Sequence, residues 1–250
     1  MSDVLGKTPV SGPLVSEADD SPWRQRFDSI YKVLRRRIVL LDYQPGTRLD
    51  VDALASEFNV SRTPVRSVIQ QLGSEGLAVT RHGVGTAVTD VDVEQVRDVW
   101  LFRIQLAEMI GRLSPRPGRV TIVDQLDQLR DVCAGLTRHT PSREFAEVDI
   151  RLHDFKCHLV GNAQLRRTYD EMYYRSVRAW FQILPELNFD VERSALMRDI
   201  SQTANAVRRG DVAAVGFITR NAVSDGLFRM DTLTSGRRAQ PGPPLRGTRS

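Results

Sequence analysis

Apolar residues recur every three to four positions over most of this chain, with polar residues collected on the opposite face, the signature of amphipathic helices. Phe27, Ile30, Tyr31, Leu34 and Ile38 predict a first helix, and Pro45 with Gly46 predicts the turn after it. Asp50 is placed to cap a short second helix carrying Leu54 and Phe58, and Asn59 with Val60 leads into a third. There Val65, Val68, Ile69 and Leu72 form the apolar stripe, while Thr63, Arg66, Ser67 and Gln70 project to the other side and Arg62 sits at its edge. Ser61 is expected to cap this helix by accepting from a backbone N–H, and Pro64 is tolerated in its first turn. Short alternating runs at 78–81 and 86–89, around His82, Gly83, Val84 and Gly85, predict a β-hairpin. Together these elements read as a winged helix-turn-helix over residues 23–91.

Beyond it the period stays helical. Val96, Val99, Trp100, Arg103 and Leu106 mark one helix; Ile122, Leu126, Leu129, Cys133 and Leu136 mark the next; Phe145, Val148, Leu152, Phe155 and Leu159 mark a third. Gly161-Asn162 reads as a left-handed helix end, Pro185 as a stop, and Gly210-Asp211 as the break between the last two helices. The fold class is therefore mainly α: a winged helix domain, then an all-α antiparallel bundle of about six helices over 93–231. Residues 1–22 and the basic stretch 232–250 hold too few apolar residues to repay ordering and read as disordered tails.

Composition refines this picture without overturning it. A length of 250 residues suits two domains, and 41% apolar content supports real cores. The net charge is only +4, so contact with nucleic acid must come from a local basic face. Two arginines one turn apart at the head of an amphipathic helix, Arg62 and Arg66, are the geometry that reads base edges in a major groove. Arg36, within the run 35–37, suits a phosphate contact or a solvated surface better than base reading. Cys133 and Cys157 are the only cysteines and form no disulfide or zinc spacing, which points to a reducing compartment. With neither an apolar run of membrane length nor a leader, a soluble cytoplasmic protein is expected.

Pro45-Gly46, Leu49, Leu54-Ala55, the run from Val60 through Arg66, Leu72, Glu75-Gly76-Leu77 and Gly83 together resemble the GntR family of bacterial transcription regulators. The resemblance implies DNA contacts by Arg62 and Arg66, with Ser61, Thr63 and Gln70 on the same face, and a wing tip His82-Gly83 reaching the minor groove. Ser67 departs from the glutamate common in the family. Arg103, the set Asp149, Leu152 and His153, then Gly161-Asn162, Ala206 and Gly210-Asp211 resemble the FCD ligand-binding domain of its FadR subfamily.

That second resemblance implies a divalent metal held by an Asp-x-x-x-His pair and two further histidines. Asp149 and His153 keep the pair, but the family spacing puts Ile200 and Ala222 where the histidines would stand. A one-residue shift brings Asp199 and Asn221 there instead, as weaker oxygen ligands. The expectation is thus no cofactor, and a small organic acid gripped by Arg103, with Asp149 and His153 beside it as a pair or as ligand contacts. His139 and His158 read as surface residues. The resemblance further implies a homodimeric repressor on a palindromic DNA operator, away from membranes. Two rivals stand beside the organic-acid reading: a sensor of long-chain acyl thioesters, and an enzyme with an autoregulatory DNA-binding domain. The latter lacks a nucleophile, a phosphate loop or a complete metal set.

Overall fold

The computed structural model describes residues 21–81, 85–91, 93–118 and 120–239. Helix α1 (Pro22–Val39) starts where Ser21 Oγ accepts from the Arg24 amide, and Pro22 takes a first-turn place that needs no donor. Asp50 caps α2 (Val51–Glu57), accepting from the amides of Asp52 and Ala53. Asn59, in the left-handed region at φ 51°, turns the chain into α3 (Arg62–Ser74). The three helices close on one core in which Leu34, Ile38, Val65, Val68 and Leu72 are fully shielded. Each such side chain contributes about 1.5–3 kcal/mol by leaving water. Strands β1 (Ala78–Arg81) and β2 (Gly85–Val88) pair antiparallel, Ala78 opposite Val88 and Arg81 opposite Gly85, and complete the winged arrangement. The second strand begins one residue earlier than its alternation suggested.

Ser61 does not cap α3. It occupies the N-cap position, yet its hydroxyl accepts no backbone hydrogen bond. The third helical residue is Pro64, which has no amide, so one of the two donors a capping serine normally serves is missing. His82 and Gly83, the expected wing tip, lie outside the described residues.

The second half is built from α4 (Val93–Met109), α5 (Val120–Gly135), α6 (Ser142–Leu159), α7 (Ala163–Ile183), a 3₁₀ turn at Leu184–Glu186 around Pro185, α8 (Phe189–Arg208) and α9 (Val212–Ala239). Helix α4 lies against α7 and α9, α5 against α6 and α8, and α8 against α9. One core runs through α4–α9; a second joins α4, α6, α7 and α9 to Val39 and Leu40 at the end of α1, seating the DNA-binding half on the bundle. Among the described residues no helix is long and apolar enough to cross a membrane.

Two boundaries move. Helix α9 runs on to Ala239, so residues 232–239, read from composition as tail, continue the last helix. Residues 1–20 and 240–250 are outside the described part. Gly161 is not a left-handed cap: α6 ends at Leu159 with Val160 extended, and a Cβ on Gly161 would stand 2.1 Å from the Ser114 carbonyl oxygen. Glycine is there for a close approach of chains. The left-handed turn falls at Gly210, φ +72°, between α8 and α9 as the pattern predicted.

Candidate functional site

On α3 the side chains of Arg62, Thr63, Arg66 and Gln70 are exposed together on the face away from the core, with Ser61 at its start. Arg62 Nε lies 2.6 Å from Asp52 of α2, an exposed pair that holds the guanidinium beside the helix-turn-helix turn. The run 35–37 is spent elsewhere. Arg35 donates to Asp170 of α7 at 2.6 Å, Arg36 pairs with Glu147 of α6, and Arg37 pairs with Glu57 and the Tyr43 hydroxyl. Arg36 therefore faces the helical bundle and not a phosphate backbone, because Glu147 offers it a carboxylate there.

Between α4, α6, α7, α8 and α9 lies a half-open cavity of about 150 Å³. Helix α6 gives it one polar-apolar stripe at helical spacing: Phe145, Asp149, Leu152, His153 and Lys156. Arg103 enters from α4 and is 6% exposed. Its Nη1 donates to Ser176 Oγ at 3.0 Å, and the guanidinium stands 5.0 Å from the Trp100 ring and 5.1 Å from the Tyr173 ring. No carboxylate pairs with it among the described residues, and its Nε, like the Trp100 indole nitrogen, is buried without a partner. Burial pulls the Arg103 pKa down, only partly countered by Tyr169, Tyr173 and Asp149. A shielded cation and an orphaned donor on the wall of a cavity are groups whose missing partner would be an anion that can accept a hydrogen bond.

The remaining polar groups are internally matched. Asp149 accepts from the Tyr173 hydroxyl at 2.7 Å, and burial raises its pKa despite that bond and the Arg103 charge. Lys156 donates to both Asp199 oxygens, at 2.7 and 2.8 Å, in a buried pair. His153 does not pair with Asp149; its Nε2 lies 3.1 Å from Asp170 Oδ1 while its ring stacks on Tyr173 at 3.7 Å. Burial takes the His153 pKa down to about 4, so the ring is neutral at physiological pH. Burial opposes the Asp170 charge, but the His153 bond and Arg35 outweigh it and hold that carboxyl at about 2.

The register on α8 also differs from the family spacing. Ile200 is fully buried in the core, and Asp199 lines the cavity; on α9 both Asn221 and Ala222 line it. These donors do not fit a divalent ion at the position the family implies. Lys156 already neutralises Asp199, Tyr173 occupies Asp149, and His153 turns Nε2 toward α7. His139 and His158 are exposed, as expected.

Sequence reasoning missed Lys156, Asp170, Tyr173 and Ser176. A signal existed for Lys156 alone: it falls seven residues after Asp149, a lysine on the inward stripe of α6.

Comparison with known proteins places both halves. Residues 27–88 match the bacterial regulatory proteins of the gntR family, and residues 98–224 match the FCD domain. The chain is 28% identical over 167 residues to the HTH-type transcriptional repressor RspR of Escherichia coli (strain K12), covering 64% of this chain and 73% of that one. It is 22% identical over 139 residues to the gluconate operon transcriptional repressor of Bacillus subtilis (strain 168), covering 56% and 57%. Among solved structures, Escherichia coli McbR/YncC superposes with a TM-score of 0.66 over 85% of this chain and 98% of that one; at 15% identity this shows the shared fold. The match of the FCD domain to more than half of the chain, with the winged helix ahead of it, makes the protein a member of the GntR family and a transcription regulator, not an enzyme.

Proposed function

We propose that the chain is a homodimeric, metabolite-responsive repressor that binds a palindromic operator through paired α3 helices and releases it when a small organic acid enters the cavity of the bundle. Arg103 carries this reading: a guanidinium shielded from water with no acid partner among the described residues, its Nε unmatched, on a cavity wall. A ligand carboxylate supplies the charge and the acceptor that the protein leaves out. His153, on the same wall, carries its ring proton on Nε2 toward Asp170, so its unpartnered Nδ1 is placed to accept from a hydroxyl of the ligand.

A volume of about 150 Å³ and this polar lining favour a compact acid over a long acyl chain. The repressor names of the relatives support the sign of regulation. On the DNA side, Arg62 and Arg66 present donors from the exposed head of α3, and two such helices in a dimer meet successive major grooves.

A melting-temperature screen of short carboxylates and acyl thioesters tests the effector. A ligand at a hundred times its dissociation constant adds about 2.7 kcal/mol, a readily seen shift. Arg103→Met should abolish the shift given by a carboxylate and leave operator binding by the free protein intact. Stabilisation that survives this substitution would move the acid to another site.

A further inference from the structure

One buried group of side chains, sharing only His153 with the proposed effector site, has a geometry that site does not account for. His153 and Cys157 stand on successive turns of α6, and Asp170 reaches them from α7. His153 Nε2 is 3.1 Å from Asp170 Oδ1, Cys157 Sγ is 3.2 Å from Nε2, and Sγ is 3.9 Å from Oδ1. Hydrogen bonding uses this set poorly. A neutral ring has one proton to share between two neighbours at Nε2, in a side chain only 2% exposed. If Nε2 gives its proton to Asp170 it cannot also accept from the Cys157 thiol, so one of these two close contacts has no hydrogen to fill it, and a cation in place of the shared proton satisfies all three atoms.

We propose that His153, Cys157 and Asp170 bind a thiophilic divalent cation of the zinc type, through one nitrogen, one sulfur and one oxygen. A triangle with these edges has a circumscribed radius of about 2 Å, close to zinc bonds of roughly 2.0–2.3 Å, so side-chain adjustment that narrows the Sγ to Oδ1 span, with the helices left in place, brings the three atoms toward a tetrahedral set. Thiolate and carboxylate balance the two charges of the ion, the thiol proton passing to solvent on binding. Three protein ligands leave a fourth position for water.

The surroundings are those of a supported site. Asp170 Oδ2 accepts from Arg35 at 2.6 Å, which fixes the carboxylate with Oδ1 toward the histidine. Tyr173 lies flat on the imidazole, the two ring planes 5° apart, and holds its orientation. The site shares only His153 with the Asp149-centred position considered from sequence, and it draws on α7 instead of α8 and α9.

Cobalt(II) added to untagged, metal-stripped full-length protein tests this directly. One equivalent should bind with a thiolate-to-cobalt charge-transfer band in the near ultraviolet, and zinc should displace it. Cys157→Ser should lose the band, and Cys157→Ser and Asp170→Asn should each weaken binding at least tenfold, whereas Cys133→Ser should keep the band and the affinity. Melting in chelator checks that each variant folds. On the wild-type chain, one equivalent of zinc should shield Cys157 from iodoacetamide, read by mass spectrometry, which needs no variant at all. Absence of the band and of the shielding overturns the site. Cobalt binding that persists in Cys157→Ser and disappears in Asp149→Asn overturns it equally, by returning the ion to the family position.

Discussion

Arg103→Met should make the free protein more stable, even though it removes a hydrogen bond and two ring contacts. The favourable side is short: one charge-assisted hydrogen bond to Ser176 and the faces of Trp100 and Tyr173. Such a bond contributes about 1.5–3 kcal/mol, and each cation–π contact about 0.5–2 kcal/mol. Against these stand the removal of a full charge from water, several kcal/mol even after relaxation, and the orphaned Nε, roughly 1–3 kcal/mol more. Methionine keeps most of the stem and removes both penalties. Ser176 loses little, because its hydroxyl still donates to the Met172 carbonyl. The net expectation is a gain of about 1–2 kcal/mol, a rise in Tm of roughly 2–8 °C for a chain of this size. Thermal unfolding followed by far-ultraviolet circular dichroism, without ligand, at fixed pH and salt, is the measurement. A loss of more than about 1 kcal/mol would refute the reasoning, since it would mean that the guanidinium is compensated in the free protein.

Arg66→Ala should cost about 1–3 kcal/mol of operator affinity and relax base preference at one position of each half-site if Arg66 reads guanine, as competition gel shifts at constant salt will show; uniform loss across all duplexes would make it a phosphate contact. Arg36→Ala should leave DNA affinity nearly unchanged, because Glu147 already engages that side chain; a loss near that of Arg66→Ala would mean the pair opens on DNA. His153 links stability to pH in metal-free protein. Burial lowers its pKa to about 4, with Arg103 and Arg35 pushing the same way and Asp170 pulling back, while Cys157 and three tyrosines complete its surroundings. The unfolded ring takes a proton near 6.5, so the contribution is complete above that pH and is lost as pH falls toward 4, roughly 3 kcal/mol in all. Urea titrations should show that slope, and His153→Gln should flatten it; an unchanged slope would place its origin in other groups.

The winged helix was legible because its signal is local. Stripe spacing, the Asp50 cap and the glycine turns are each set within a few residues, and the tertiary fold leaves them in place. The bundle was legible for the same reason, whereas the inward position of Arg103 came from the family resemblance and not from the stripe alone. What stayed hidden depends on facing helices. Nothing along α6 announces that α7 offers Asp170 and Tyr173 to His153, so spacing alone paired His153 with Asp149 instead. Nor does a run of three arginines reveal that each finds a carboxylate on a different element, Asp170, Glu147 and Glu57. Ser61 shows the limit at the smallest scale, its capping role undone by a proline three residues on.

Arg35 has a bearing on how such regulators are rebuilt in the laboratory. Its guanidinium crosses from α1 to Asp170 and covers the Tyr174 ring at 3.7 Å, and Arg143 of α6 returns the gesture with two bonds to Asp42. A chimera that joined residues 21–91 to a foreign helical bundle would carry Arg35 to a surface without that acid, stranding a desolvated cation at the new seam. Such hybrids should express poorly unless an acidic residue is grafted at the position of Asp170. The exchangeable unit in this protein is a domain together with its docking charges.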